Sequence, residues 1–145
     1  MRSTETGVFV ADATGRILGR NAGLLGGRVT WMSDGLLFVG SAKSAAEFAL
    51  LYLDDECGGQ PYADSAPYSN LAMPVQQPTG TWDAFVYDGS PRAVVPRSVW
   101  TGSTCAKPRD ASQACPACFS ERQARPVRSI GPYPTYTLPF SLVEK

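Results

Sequence analysis

The feature of this sequence that most constrains its fold is a repeated pattern in which a tight-turn sequence separates two short apolar runs. The three copies span residues 7–19, 29–39 and 82–95, with their turns at 12–15, 33–35 and 88–91. Apolar runs on both sides of a turn that contains Asp and Gly are typical of β-hairpins, because glycine accepts the positive φ angles of such turns. The sequence therefore predicts three hairpins, with further strands at residues 99–100 and 135–143.

Composition supports the same class of fold. Glycine (14) and proline (12) make up about 18% of the 145 residues, against about 12% in average proteins. This surplus favours many short elements joined by tight turns, and the lack of a G-x-y period or a long heptad run excludes collagen and coiled coil. The length is sufficient for one hydrophobic core. We therefore expect residues 1–145 to form a single all-β domain, a small antiparallel sandwich or barrel.

Two stretches without a sustained hydrophobic period are expected to form long loops rich in proline and glycine, of which the first is either an ordered loop or a meandering sheet edge. They span residues 54–80 and 101–132, and both are candidate contact surfaces because long loops in compact domains often carry function. Residues 41–53 are expected to form a turn through 41–47 followed by a strand over 48–53. A short helix is the alternative there, because residues 42–51 are rich in helix-forming side chains.

The titratable residues exclude several classes of function. The chain has no histidine, which removes histidine-based acid–base catalysis, Ser-His-Asp triads and imidazole-containing zinc sites. Two carboxylates could still act as acid and base, but the sequence singles out no pair, so we expect no enzymatic activity and no cofactor. The thirteen basic and thirteen acidic residues balance, which disfavours a nucleic-acid partner.

The sequence also lacks the signals of export and membrane insertion. The first six residues do not resemble the basic and then apolar start of a signal peptide, and the longest strongly apolar stretch, residues 48–53, is too short to span a bilayer. We therefore expect synthesis in a cytoplasm and no membrane insertion. Four cysteines are unexpected in that setting, because disulfides are rare in a reducing cytosol.

The cysteines are the residues with the most suggestive chemistry. Cys115 and Cys118 form a C-x-x-C motif, and Cys105 and Cys57 lie upstream of it. One hypothesis is that the four thiolates hold a structural zinc ion. A second is a pair of disulfides, Cys57–Cys105 and Cys115–Cys118, of which the first would tie the two expected loops together and stabilise the fold by about 4 kcal/mol. A third is free thiols, and the residues alone leave all three open.

Four tyrosines are candidate binding residues. Tyr62, Tyr68, Tyr133 and Tyr136 lie among prolines and polar residues, and tyrosine offers a large rigid contact area with a hydroxyl group for protein or glycan recognition. The alternative, which we favour, is that these rings cover the ends of the β core. The three tryptophans lie in predicted strands and are expected in the core.

Several short motifs occur in an order that resembles a known group of domains. They are VADATGRILG at residues 10–19, LYLDDECGGQPY at 51–62, GSTC at 102–105 and LPFSL at 138–142. The order is similar to that of small β-rich domains of uncharacterised function in bacterial and bacteriophage proteins, often at the tips of fibres or stalks. This resemblance implies a structural or binding tip without catalytic residues, and a bonded pair formed by Cys57 and Cys105. The motif at Cys115 and Cys118 is an addition to the pattern.

Together these observations lead to a hypothesis of function. The chain is expected to be a bacteriophage structural protein, a fibre, tail or capsid-decoration component that is made in the host cytoplasm and belongs to the virion. Its partners would be other virion proteins and a host-surface receptor or glycan, and a homo-oligomer, taken here as a trimer, would pair its strand edges. The alternative is a zinc-stabilised intracellular adaptor that uses all four cysteines, and a third candidate is a carboxylate-dependent glycan hydrolase.

Overall fold

The computed structural model of the chain describes residues 6–25, 27–40, 48–66, 69–108 and 119–145. Strands account for 52% of these residues. They are β1 Val8–Ala11, β2 Ile17–Leu25, β3 Arg28–Ser33, β4 Leu36–Val39, β5 Leu50–Tyr52, β6 Tyr62–Asp64, β7 Met73–Gln76, β8 Trp82–Tyr87, β9 Arg92–Val94, β10 Ser98–Trp100, β11 Cys105–Ala106, β12 Arg122–Pro132 and β13 Ser141–Glu144. Every ladder between these strands is antiparallel, which confirms the predicted all-β antiparallel class.

The strands belong to two compact units. The first unit contains the described residues up to 40, together with Asn70–Ala72 and Pro134–Lys145, and the second contains the described residues from 48 to 69 and from Met73 to Tyr133. The first unit holds a five-stranded sheet and the second an eight-stranded sheet. The prediction that residues 1–145 form one domain stays a prediction.

The five-stranded sheet contains two of the predicted hairpins. Its strand order is β13-β1-β2-β3-β4, and both β1–β2 and β3–β4 are neighbouring antiparallel pairs, as expected. The turn between β3 and β4 places Asp34 at φ 53° and Gly35 at φ 78°. Two successive residues with positive φ are the requirement of a type I′ turn, so Asp-Gly produces this hairpin locally. The edge strand β13 covers only part of the strand expected over 135–143.

The core of the first unit is built around Trp31. This side chain is 1% exposed, and its ring lies 6.1 Å from that of Phe38, 5.8 Å from that of Tyr136 and 5.7 Å from that of Phe140, between ring centroids. A Cβ atom on Gly40 would lie 2.5 Å from the Phe140 ring, so the backbone must approach closely there. Trp31 therefore confirms the expectation of a core tryptophan, whereas Trp82 and Trp100 are only half-buried.

The eight-stranded sheet corrects the third predicted hairpin. Its order is β11-β10-β5-β6-β12-β8-β7, and β9 also pairs with β12. Both strands of the expected hairpin exist, but β8 and β9 do not pair with each other: they lie one after the other along the same edge of β12, because β6 occupies the opposite edge. Residues 88–91 therefore interrupt the chain without reversing it.

The two expected long loops each contain strands. For residues 54–80 the expectation of a meandering edge is met in part by the edge strand β7, whereas the prediction of a loop over residues 101–132 is wrong. Residues 54–80 include β6 and β7, and residues 101–132 include β11 and the eleven-residue β12. In β12 the buried residues are Ala124 and Val127, which are three positions apart, so the strand has no period-two alternation. Pro126 has no N–H group to donate to a neighbouring strand, so the sequence does not suggest a central strand here. By contrast, the strand expected over residues 48–53 is confirmed by β5, while residues 41–47 lie outside the described residues.

Candidate ligand-binding cleft

The structure buries two of the four candidate tyrosines. Tyr62 is 6% exposed and Tyr133 is 3% exposed, so neither ring is available as a binding surface, and the alternative that such rings cover the core applies to both. Tyr136 is half-buried in the Trp31 cluster, with its ring centroid 5.0 Å from that of Phe140. Tyr68 lies outside the described residues.

Of the cysteine hypotheses, the structure contains the disulfide between Cys57 and Cys105, whose Cα atoms lie 6.0 Å apart. A zinc site made from all four cysteines is incompatible with this bond, because two of its thiolates would be consumed. Cys115 and Cys118 lie outside the described residues. Within the described part of the chain, no group of three or more Cys, Asp or Glu side chains is placed to hold a metal ion. No helix there is long and apolar enough to cross a bilayer.

A concave site among the described residues of the second unit lies on one face of strands β5, β10 and β11. Successive side chains of a strand point to opposite faces, and the register pairs Leu50 with Trp100, Trp100 with Cys105, and Tyr52 with Ser98. Leu50, Tyr52, Trp100 and Cys105 therefore share one face of this sheet segment. The opposite face carries the core residues Leu51, Val99 and Ala106.

This face forms the floor of a cleft with a volume of about 250 Å³. Tyr52 and Trp100 occupy a diagonal position across two paired strands, which is within reach of two aromatic side chains. Glu56 and Cys57 line the cleft from the loop after β5, and Gln77 and Pro78 line it from the turn after β7. The cleft therefore combines two aromatic rings with a carboxylate, an amide and the disulfide, the mixture of apolar area and few polar groups that small-ligand sites use. We call it the Trp100 cleft.

The Glu56 wall of the Trp100 cleft is held by hydrogen bonds within its own loop and to Ser98 of β10. The Asp54 carboxylate accepts from the backbone N–H of Glu56 at 3.2 Å and of Gly58 at 3.0 Å. Ser98, which is fully buried, donates its hydroxyl to the Asp54 carbonyl at 2.6 Å and accepts from the backbone N–H of Cys57 at 2.9 Å. The disulfide adds a covalent anchor to β11. The loop is therefore ordered before any ligand arrives, which lowers the entropic cost of binding.

Some polar groups of the Trp100 cleft form hydrogen bonds within the protein, whereas others do not. The Trp100 indole N–H donates to the Gln76 carbonyl at 2.7 Å, and the Gln77 amide nitrogen donates to the Val75 carbonyl at 3.4 Å. No described residue pairs with the carboxylate of Glu56, which is exposed. Unused acceptors therefore face the cleft.

The Tyr52 side chain adds a hydroxyl and a ring to the same floor. Burial raises the pKa of its phenol above the usual value of 10.0, and the negative charge of Asp54 raises that pKa further. The phenol is therefore neutral throughout the physiological range. Burial is the larger of the two causes and the charge of Asp54 the smaller.

The first unit has a cavity of about 260 Å³ beside Asp12, but its polar groups are used by the fold. The buried Asp12 carboxylate accepts from the Thr14 hydroxyl at 2.6 Å, and from the backbone N–H groups of Thr14 at 3.0 Å, Arg16 at 3.2 Å and Thr137 at 3.1 Å. The Thr14 hydroxyl lowers the Asp12 pKa below 3.8 against the opposing effect of burial, and the three N–H groups lower it further. This aspartate organises the β1–β2 turn and the segment that packs on it.

Sequence reasoning missed the residues of the Trp100 cleft, except for the disulfide. Glu56 and Gln77 fall in the stretch 54–80 that the sequence predicts as a candidate contact surface, but nothing in the sequence distinguishes Glu56 from its acidic neighbours Asp54 and Asp55. Trp100 was assigned to the core. The sequence predicts a strand over Leu50, Leu51 and Tyr52, but its partner strand begins at Ser98, 46 residues after Tyr52. The register between the two strands is not encoded locally.

Comparisons with known proteins find no matching family model, no matching curated protein and no matching solved structure. The class of molecule is therefore defined by its own fold and cleft: an all-β protein with an ordered, aromatic and acidic cleft next to a disulfide. The similarity to bacteriophage tip domains stays a resemblance of sequence motifs.

Proposed function

We propose that this protein is a non-enzymatic binding module and a structural component of a bacteriophage virion, in a fibre, tail or capsid-decoration position. The observation that carries the proposal is the Trp100 cleft, which is held ready by Asp54, Ser98 and the disulfide. A cleft on a rigid β-sheet face suits recognition, because its side chains are ordered beforehand and lose little conformational entropy on binding.

The chemistry of the cleft supports binding without catalysis. Glycoside hydrolysis by the usual mechanism needs two carboxylates on either side of the scissile bond. The lining of the Trp100 cleft contributes one carboxylate, that of Glu56. The buried Asp12 of the first unit accepts four hydrogen bonds, and its lowered pKa does not suit a general acid at neutral pH.

The disulfide supports a working life outside a reducing cytosol. Disulfides persist in oxidising surroundings, and the bond between Cys57 and Cys105 closes a loop with a sequence separation of 48. A virion protein that is released at lysis spends its functional life in such surroundings. Its partners would be other virion proteins and a receptor or glycan on the host surface.

Strand edges and exposed apolar side chains support assembly with further copies, for which we propose a trimer. In the first unit, the edge strand β13 exposes Leu142 by 60%, and β2 exposes Leu24 by 73%. Free strand edges and exposed apolar groups are features that an oligomer would cover. Sedimentation equilibrium at high micromolar concentration is expected to give three times the chain mass of 15.5 kDa, and a monomer there would reject the trimer.

The virion assignment is tested on particles released from a host culture that carries the gene at its natural locus. Particles are banded on a density gradient, and the fractions are probed with an antibody raised against the purified protein, followed by immunogold electron microscopy. We expect the protein to band with the particles and to label one structure on them. Protein that remains entirely in the particle-free supernatant would refute the assignment.

The zinc-adaptor alternative has a direct test of its own. Elemental analysis and a thiol assay on protein purified without chelators separate the two hypotheses. One zinc per chain would support the adaptor, whereas metal-free protein with an intact Cys57–Cys105 bond is the result that the binding module requires.

A further inference from the structure

The Trp100 cleft presents acceptors and aromatic rings but few free donors. We infer that it binds a positively charged organic amine, an alkylammonium group, through the Glu56 carboxylate and the rings of Tyr52 and Trp100. This inference deepens the proposed function and rests on it, because it names the chemistry that the binding module recognises.

The backbone N–H groups of the Glu56 loop and the indole N–H of Trp100 are used within the protein. The backbone N–H groups of Glu56 and Gly58 donate to the Asp54 carboxylate, and that of Cys57 donates to the Ser98 hydroxyl. The Trp100 indole N–H donates to the Gln76 carbonyl. An anionic ligand would therefore meet few donors, whereas a ligand that brings its own charged N–H groups would be complemented.

The aromatic floor suits a cation for an electrostatic reason. The face of a tryptophan or tyrosine ring carries negative quadrupole density and attracts a cation placed within about 6 Å of its centroid. Tyr52 and Trp100 share one sheet face beside Leu50, so a group seated between them would contact apolar area and π density together. A neighbouring carboxylate strengthens such a site, because it supplies the opposite formal charge.

The surrounding charges favour the same ligand. Glu56 is the charged residue of the cleft lining, and Asp54 is close enough to raise the pKa of Tyr52. Arg97, a described cation of this loop region, pairs with Asp55 at 3.0 Å. The formal charge of the described lining residues is therefore negative, which favours a cation over a carboxylate or phosphate.

Two sources could supply this group on a host surface or a partner protein: the amine of an amino sugar or the side chain of a lysine. The test uses the ¹⁵N-labelled full chain, whose three tryptophans give three indole N–H signals, with the Trp100 signal assigned from Trp100→Phe. Glucosamine is titrated against N-acetylglucosamine, and Nα-acetyl-lysine amide against its Nε-acetylated form, at constant ionic strength. Each pair differs mainly by the positive charge.

We expect the Trp100 signal to shift saturably with the charged member of at least one pair, and that member identifies the source. Glu56→Gln should weaken this binding by about fivefold or more, as loss of a charge partner does. Glu121→Gln removes an exposed acid outside the cleft and should leave the affinity unchanged. A dispersed spectrum of each variant shows that it is folded.

Equal binding of the neutral and charged members, an unchanged affinity in Glu56→Gln, or no binding of any probe would each overturn the inference. None of these outcomes bears on whether the protein bands with particles, so failure of the ligand chemistry is distinguishable from failure of the virion assignment. Conversely, the protein could be absent from particles while its cleft still prefers the charged probe. That result would refute the virion assignment and support the cation site.

Discussion

The two acidic loops of this protein, around Asp12 in the first unit and around Glu56 in the second, use similar residues for different purposes. Asp12 is buried and accepts four hydrogen bonds from Thr14, Arg16 and Thr137. The Glu56 carboxylate is exposed to a cleft, and none of the described residues pairs with it. In the second loop the structural task falls to Asp54, which caps two backbone N–H groups.

The comparison shows that hydrogen bonding and exposure distinguish a carboxylate that stabilises a turn from one that is available to a ligand. A buried acceptor that is fully paired contributes to folding and has little capacity left for binding. An exposed acceptor at the rim of an ordered cleft contributes little to folding and keeps its capacity to bind a ligand. Substitution of Asp12, or of the groups that order the Glu56 loop, should therefore lower the stability of the protein. Substitution of Glu56 itself should instead weaken ligand binding.

The largest effect is expected from removal of the covalent anchor of the Glu56 loop. Cys57→Ser combined with Cys105→Ser opens a loop with a sequence separation of 48 and should lower the free energy of unfolding by about 4 kcal/mol in the chain-entropy model. Denaturation by guanidinium chloride, monitored by tryptophan fluorescence, measures the loss relative to the oxidised wild type. An unchanged midpoint would mean that the bond contributes nothing to this fold.

A smaller effect is expected at the buried hydroxyl that joins the Glu56 loop to β10. Ser98→Ala leaves the Asp54 carbonyl and the Cys57 N–H without their shared partner, which should cost about 1–3 kcal/mol of unfolding free energy. Ser90→Ala is the matched control, because Ser90 is exposed and its loss should change stability by less than about 0.5 kcal/mol. If both variants unfold at the same denaturant concentration, the Ser98 bridge does not order the loop.

The two acids are compared directly by alanine substitution. Asp12→Ala removes the acceptor of four hydrogen bonds and should lower the thermal midpoint. Glu56→Ala removes no hydrogen bond to a described residue and should change stability by less than about 0.5 kcal/mol. Differential scanning calorimetry at neutral pH measures both, and a larger loss for Glu56→Ala would reverse the roles assigned here.

The smallest effect concerns the pH dependence of stability. The Asp12 pKa is lowered in the folded state from 3.8, mainly by the Thr14 hydroxyl, so its stabilising contribution is present above that value. The contribution is lost as the pH falls from about 4 through the lower pKa of the folded state, because protonation then favours the unfolded chain. Urea denaturation between about pH 5 and about pH 2 should show a shallower decline for Asp12→Asn than for the wild type. Identical slopes would show that the carboxylate is not held in its charged form by the turn.

The sequence predicted the local part of the fold well. The turns at 12–15 and 33–35 produce their hairpins because the turn residues and the flanking apolar runs act within a few positions of each other. The third hairpin was wrong because turn residues at 88–91 also occur where a strand is interrupted, and the competing partner, β12, lies more than 30 residues away. No local pattern distinguishes the two outcomes.

The candidate site was predicted only through its cysteines. The pairing of Cys57 with Cys105 was among the hypotheses, and it is present in the structure. The tyrosines were chosen for their polar and proline-rich surroundings, but Tyr62 is part of a strand that packs in a core cluster with Leu51 and Val99. Exposure of an aromatic ring depends on which face of a sheet it occupies, and that face depends on register.

The sequence by itself determined the all-β class, the two tight hairpins of the first unit and the absence of histidine-dependent chemistry. Only the tertiary structure decided that a proline-containing, arginine-rich segment would become the eleven-residue strand β12, and that Tyr52, Glu56 and Trp100 would line one cleft. The physical reason is range: turn geometry and hydrophobic alternation act over a few residues, whereas strand register is set by side-chain packing between segments that are tens of residues apart.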